Sequence, residues 1–243
     1  MCAGGDTVGI RKGYLLISAI ILLVFAALSA SRLLVKSAFS PQNAGQPTAV
    51  IDAGHGGMDG GAVSADGIVE SHVNLEIAKR LSLLLQFCGQ RVILTRNSEA
   101  DLSSSDADSI KDQKVSDLKN RVAVVNAVPN AVLISVHQNS LAGNASVRGA
   151  QAFYNTVSDA NALAVALQQN LNTVCNTGNH KLARQIDSSI YLMNEVRCPA
   201  VLVECGFLSN PKEAQLLCTP AYQKQLALAV AAGYLQHTNE GSR

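Results

Sequence analysis

From Thr48 to the C-terminal end of the chain, short apolar runs alternate with helical stripes, and no other feature narrows the fold as much. TAVIDAG, RVILT, AVLISVH, GAQAFY, SIYLM and AVLVE read as strands, each five to seven residues of mostly apolar or β-branched character. Between them, Val73, Ile77, Leu81, Leu84, Leu85 and Cys88 recur at helical spacing, with Gly89 where a helix would end. Leu118, Val122 and Val125 mark a second helix, and Leu163, Leu167, Leu171 and Val174 mark a third, after Ser158-Asp159. Asn210-Pro211 with Glu213 supplies an N-cap, a first-turn proline and an acidic third position. Thr219-Pro220 repeats the start signal before AYQKQLALAVAAGYLQH. Strands alternating with helices predict an α/β domain built on a largely parallel sheet.

The chain has 243 residues, 48% hydrophobic and 15% charged, enough for one domain of ordinary size plus extra segments. Those segments lie at the N-terminus. Gly13 to Ser31 is almost wholly apolar and uncharged, long enough to cross a bilayer as a helix, and follows Arg11 and Lys12. A retained anchor is the expectation for residues 1–36, with a secretory signal as the rival because Ala27-Leu28-Ser29 resembles a cleavage site. Either reading delivers the following domain across a membrane, and Arg11 and Lys12 favour an inside N-terminus. Residues 37–47, rich in Ser, Pro, Asn, Gln and Gly, read as a linker, and 48–238 as the folded domain.

Charge divides at that linker. Residues 1–47 hold four basic groups against Asp6, a net +3, so 15 basic and 17 acidic residues leave −2 on the remainder. A mildly acidic domain has no electrostatic footprint for nucleic acid. Of six cysteines, Cys2 precedes the apolar run, and the other five are an odd number without metal-type spacing. Buried free thiols are expected of them, Cys88 and Cys205 above all, since both sit in apolar patterns.

In open α/β sheets, ligands gather beyond the carboxyl ends of strands. His55 stands just after the first apolar run, in the glycine-rich stretch VIDAGHGGMDGGAV; His137 ends the third, and Glu204 ends the last. Glu70 opens the helix after the glycine loop. If those strands are neighbours, the four residues converge. Two imidazoles and one carboxylate form a catalytic zinc pattern with a fourth position for water, and a second carboxylate then serves as general base. The glycines let the backbone turn sharply and leave room beside the His55 ring. Asp52 is the expected carboxylate partner for a ligating histidine. His72, His180 and His237 are read as structural or solvated.

At these residues the chain resembles the zinc-dependent N-acetylmuramoyl-L-alanine amidases. VIDAGHGGMDGGA, VESHVNLEIAKRL, VILTR, LKNRVAVVNA, LISVHQNS and AVLVECGFLSNPKEAQLL occur in that family's order and approximate spacing, across Thr48 to Gln236. The resemblance implies a central mixed, mostly parallel sheet flanked by helices, and one zinc ion. By motif position it implies His55, Glu70 and His137 as the zinc ligands and Glu204 as the catalytic carboxylate. The substrate it implies is peptidoglycan, cut at the amide between the lactyl group of N-acetylmuramic acid and L-alanine of the stem peptide. A short, single-domain, N-terminally anchored member is similar to the sporulation amidases that help make muramic lactam in the spore cortex. Such a protein acts outside the cytoplasm on the wall or cortex. No wall-binding repeats are visible, so targeting falls to the anchor or to a partner, an activating protein being one, and the Ser/Asp-rich loop 97–113 is where a lineage-specific contact is sought.

Three other readings compete with the amidase. Cys205 beside Glu204 would serve a cysteine-nucleophile hydrolase. A catalytically silent wall-binding or regulatory domain would lack one of the four polar groups, and none is missing. Another zinc peptidase would be told apart by its products.

Overall fold

A two-residue period in the central strands sorts their side chains onto two faces. In the computed structural model, which describes residues 46–104 and 108–240, three parallel strands lie at the centre: β1 (Thr48–Ala53), β3 (Ala131–Asn139) and β6 (Ala200–Phe207). Ala49, Ile51 and Ala53 of β1, Val132, Ile134 and Val136 of β3, and Val201, Val203 and Cys205 of β6 enter one buried cluster. The intervening Val50, Leu133 and Leu202 enter a second. The first cluster is filled mainly by α1 (Glu70–Phe87), α3 (Ala160–Val174) and α6 (Pro220–Glu240), with Ala214 and Leu217 added from a short helix before the last. The second is covered by α2 (Ile110–Asn126) and by the five-residue α4 (Tyr191–Glu195).

Outside the central strands lie β2 (Arg91–Leu94), β4 (Gln151–Tyr154) and β5 (Arg184–Gln185), giving the order β2-β1-β3-β6-β4-β5. β4 runs antiparallel to β6, so the sheet is mixed and mostly parallel, as the sequence predicts. The remaining helix, α5 (Pro211–Leu217), starts where expected: Asn210 Oδ1 accepts from the amides of Lys212 and Glu213, and Pro211 occupies the first turn. α1 ends one residue before Cys88, and Gly89 takes a φ of +79°.

The structure departs from the sequence reading at several points. SIYLM is not a strand: Asp187 Oδ1 accepts the Ser189 amide in a turn, and residues 191–195 form α4. A short apolar run carries no period that separates strand from helix. Arg184-Gln185, a two-residue edge strand, left no pattern to read. The polar loop after β2 ends at Ser109, whose hydroxyl accepts from the Asp112 amide and starts α2. The described cysteines are free, but of the five expected to be buried only Cys205 is: Cys175 and Cys198 are half-buried, Cys218 is exposed, and Cys88 is exposed because it caps α1 instead of continuing its apolar stripe. The expected anchor at 1–36, Cys2 and most of the linker lie outside the described residues. No helix among the described residues is long and apolar enough to cross a membrane.

Candidate active site

Because β1, β3 and β6 are neighbours with matching register, residues read as separate strand ends come together. His137 and Glu204 are register partners, and Asp52 pairs with Ser135 on the other side of β3. One residue past Glu204 and His137 the register slips, with β6 spending three residues, 204 to 207, where β3 spends two, 137 to 139. Such a bulge re-aims side chains at the rim of a site.

His55 comes from the loop beyond β1 and has a φ of +60°, a left-handed conformation that costs a non-glycine residue about 1 kcal/mol. Glycines make its position possible. A Cβ on Gly54 would lie 2.2 Å from His137 Cε1, and one on Gly61 would lie 2.5 Å from Glu70 Oε2 and 2.7 Å from His55 Cδ2. The same loop caps α1: the free first-turn amides of Glu70 and Ser71 donate to the carbonyls of Ala62 and Gly60. Loop and helix are thereby fastened to each other.

Glu70, 3% exposed, is the hub of the cluster. Its Oε1 lies 3.0 Å from His137 Nδ1 and 3.3 Å from His55 Nε2, and it accepts from Asn74 Nδ2 and the Gln138 amide. Its Oε2 accepts the Ala62 amide. The two imidazole rings stand edge to face with centroids 5.0 Å apart. Ligand atoms of His55, Glu70 and His137 all lie within 4.8 Å of one another, an arrangement able to hold a metal ion. Glu204 faces the same cavity, of about 360 Å³, and its Oε2 is buried with no hydrogen-bond partner.

The electrostatics follow from this crowding. Burial opposes a charged His55, but Glu70 and Asp59 outweigh it and raise the imidazole to about 9. Burial likewise pushes Glu70 up, and hydrogen bonds from His137 and His55 with their charges hold it far below the usual carboxylate range. For Glu204 burial wins, and the carboxyl rises to about 7. These are the conditions of paired ligand groups beside a carboxyl with a neutral-range affinity for a proton.

All four expected site residues therefore meet, while His72 sits apart at the surface, 3.4 Å from Glu99. His180 is exposed and His237, half-buried, is in the last turns of α6. Asp52 does not support a histidine: its carboxylate accepts from Arg121 Nη1 (2.6 Å), Thr95 Oγ1 (2.7 Å) and Ser135 Oγ (2.7 Å). Asp59 fills that place, with Oδ2 3.0 Å from His55 Nδ1 and Oδ1 2.9 Å from Lys114 Nζ. Sequence reasoning missed Asp59, although it lies four residues after His55 in the same glycine-rich stretch. Cys205 is fully buried and its thiol is pushed well above its usual range by burial, with Glu204 adding to the effect, which removes it as a nucleophile.

A family model described as N-acetylmuramoyl-L-alanine amidase matches residues 49–236. The germination-specific N-acetylmuramoyl-L-alanine amidase of Bacillus subtilis is 38% identical over 191 residues, 78% of this chain and 79% of that protein. The amidase AmiA of Escherichia coli is 30% identical over 227 residues, 81% of this chain and 78% of the relative. Among solved structures, the CwlD amidase of Clostridioides difficile in complex with the GerS lipoprotein superimposes with a TM-score of 0.77 at 33% identity. That match covers 80% of this chain and 100% of the other.

Proposed function

The chain belongs to the N-acetylmuramoyl-L-alanine amidase family, and we propose that it works with one zinc ion held by His55, Glu70 and His137 and with Glu204 as the catalytic carboxylate. It is a peptidoglycan hydrolase that cleaves the amide between N-acetylmuramic acid and L-alanine of the stem peptide. The observation that carries the zinc assignment is the convergence of three ligand atoms within 4.8 Å, beside a buried carboxylate oxygen that has no partner of its own. Two imidazoles and a carboxylate suit zinc and leave a position for water. When bound, the ion would lower the pKa of water and polarise the scissile carbonyl.

The chain's own groups supply the remaining chemistry. Glu204, at the wall of the cavity, takes the proton from the attacking water and returns it to the departing nitrogen. A C–O bond forms as the C–N bond breaks, leaving a lactyl carboxylate and a stem peptide with a free L-alanine amine. Asp59 holds the outer nitrogen of His55, fixing the ring's tautomer and direction. Leu118, Ile190, Tyr191 and Leu192 give the cavity an apolar wall beside the reacting groups.

Residues 48–238 are read as the catalytic unit, and the apolar segment in 1–36 as the anchor or signal that delivers it outside the cytoplasm. The cortex of the spore is the proposed site of action, supported by the germination-specific relative. There, peptide removal would precede lactam formation by a second enzyme. An activating protein partner is part of the proposal, supported by the complex in which the similar CwlD amidase was solved.

Elemental analysis of the purified protein, with mass spectrometry of products from peptidoglycan, tests this reading. About one zinc per chain and stem peptides beginning with free L-alanine are expected. Products with a new N-terminus elsewhere, or an active protein that keeps its rate without metal, would overturn it.

A further inference from the structure

His55 reaches the cluster from an otherwise unfavourable backbone conformation, and something must hold it there. Three successive carbonyls, those of Ala53, Gly54 and His55, accept from two buried guanidinium groups. Arg121, 1% exposed, gives Nη1 to Asp52 Oδ1 and to Ala53 O (2.8 Å), Nη2 to His55 O (2.7 Å) and Nε to Asp117 Oδ2 (2.8 Å). Arg96 gives Nε to Ala53 O (2.8 Å), Nη2 to Gly54 O (3.0 Å) and to Ser71 O (2.9 Å), and Nη1 to Ser98 O (2.9 Å). Each arginine thus uses four of its five N–H groups.

The roles of the two arginines differ. Arg96 ties the end of β1 to the first turn of α1. Arg121 is fixed from two sides by Asp52 on β1 and Asp117 one turn earlier on α2, and the rest of its planar fork is aimed at the carbonyls either side of Gly54. Gly54 is where the backbone touches the His137 ring. Release of the His55 carbonyl would free ψ of His55, and with it the loop backbone from which the ring reaches Glu70 and His137.

We infer that Arg121 is a positioning residue for the metal centre: through its bond to the His55 carbonyl it sets one ligand against the other two. The inference rests on the zinc reading above only for its functional consequence, because the placement of the ring is a property of the metal-free protein. A lysine cannot replace it. A point-like ammonium with three donors can neutralise Asp52 or Asp117 but cannot also span the carbonyls of Ala53 and His55.

The test is Arg121→Lys, read in two ways. In the metal-free protein, the nuclear Overhauser effect between ring protons of His55 and His137 is strong in the parent and weakens in the variant. Its persistence at parental strength overturns the inference whether or not zinc binds. In competition with a chromophoric chelator, the folded variant binds zinc about 10- to 100-fold more weakly, the range typical of lost support around a metal ligand. A merely structural arginine would lower the urea midpoint and leave the affinity of the folded fraction unchanged, which would also overturn it. A parent that binds no zinc would sink the metal reading, and the ring measurement would still decide the clamp. Should Arg121→Lys not fold, Asp117→Ala removes the acceptor of Nε while keeping the pair with Asp52; the same two readouts then fall several-fold, and unchanged values overturn the inference.

Discussion

His137 and Glu204 are register partners on adjacent parallel strands, one a candidate ligand and the other a carboxyl with a buried, unpartnered oxygen. Their proximity is backbone pairing, so it survives any change confined to one side chain. Glu204→Gln should therefore bind zinc like the parent while turnover falls by about 10²- to 10⁴-fold, the usual worth of a positioned acid–base group. Zinc content and stem-peptide release measure the two halves separately. Parental turnover in this variant would remove Glu204 from the chemistry.

His55→Ala should lose metal and activity together, because it deletes one of the three proposed ligands. Zinc should also stabilise the parent: at a free concentration 100 times its dissociation constant the gain is about 2.7 kcal/mol. Thermal melts with zinc and with chelator read this directly. Equal melting temperatures in the two conditions would contradict a resident ion.

Asp59→Asn leaves His55 in place but weakens the acceptor on its Nδ1, 3.0 Å away. Zinc affinity is expected to drop by about 10-fold or more, with little change in the urea midpoint of the metal-free protein. The same change at Asp66, an exposed loop acid, is the control and should do nothing.

Gly54→Ala tests the close approach of backbone and ligand. The added methyl would sit 2.2 Å from the His137 ring, so ring or strand must shift. Overpacking of this kind costs about 1–3 kcal/mol, and here the displaced group is a proposed ligand, so activity should fall further than stability. A variant with parental zinc affinity would mean that the ring has room to retreat.

Stability in acid should report the pair of Asp52 and Arg121. Burial pushes Asp52 up, but Arg121, Ser135 and Thr95 outweigh it and hold its carboxyl below the ordinary value of 3.8. A depressed folded-state pKa stabilises the protein above the unfolded value and loses that contribution as pH falls through the folded one. Urea midpoints of the metal-free parent should thus decline from about pH 4 downward. Asp52→Asn, which breaks a buried pair, should be less stable at pH 7 by about 3–5 kcal/mol and decline less steeply. Parallel curves for the two proteins would show that Asp52 titrates normally.

The four candidate site residues were legible as a group because each stands at a place the chain marks locally. His137 and Glu204 end strongly apolar runs, His55 follows one, and Glu70 opens a helix with a clear stripe. What surrounds them was not legible. Asp52, nearest to His55 in sequence, was expected to support a histidine, yet its side chain lies on the face covered by α2 and meets Arg121. Asp59 meets His55 because the glycine loop doubles back, with Gly56 and Asp59 exchanging backbone hydrogen bonds. Apolar character alone also misread SIYLM, where the turn at Asp187 decides for helix.

By itself the sequence determined the alternation of strands and helices, and with the two-residue period it determined that Asp52, Ser135, His137 and Glu204 each face opposite to the apolar residues beside them. These are local properties, set by spacing along one stretch of chain. Tertiary structure alone decided that β1, β3 and β6 are neighbours, that β6 gains its extra residue just beyond Glu204, and that Arg121 reaches the carbonyl of His55. That last bond joins residues 66 positions apart, and the one between Ser135 and Asp52 spans 83. No local pattern encodes such pairings, because a buried guanidinium or carboxylate takes whichever partner the packed sheet and helices bring within reach.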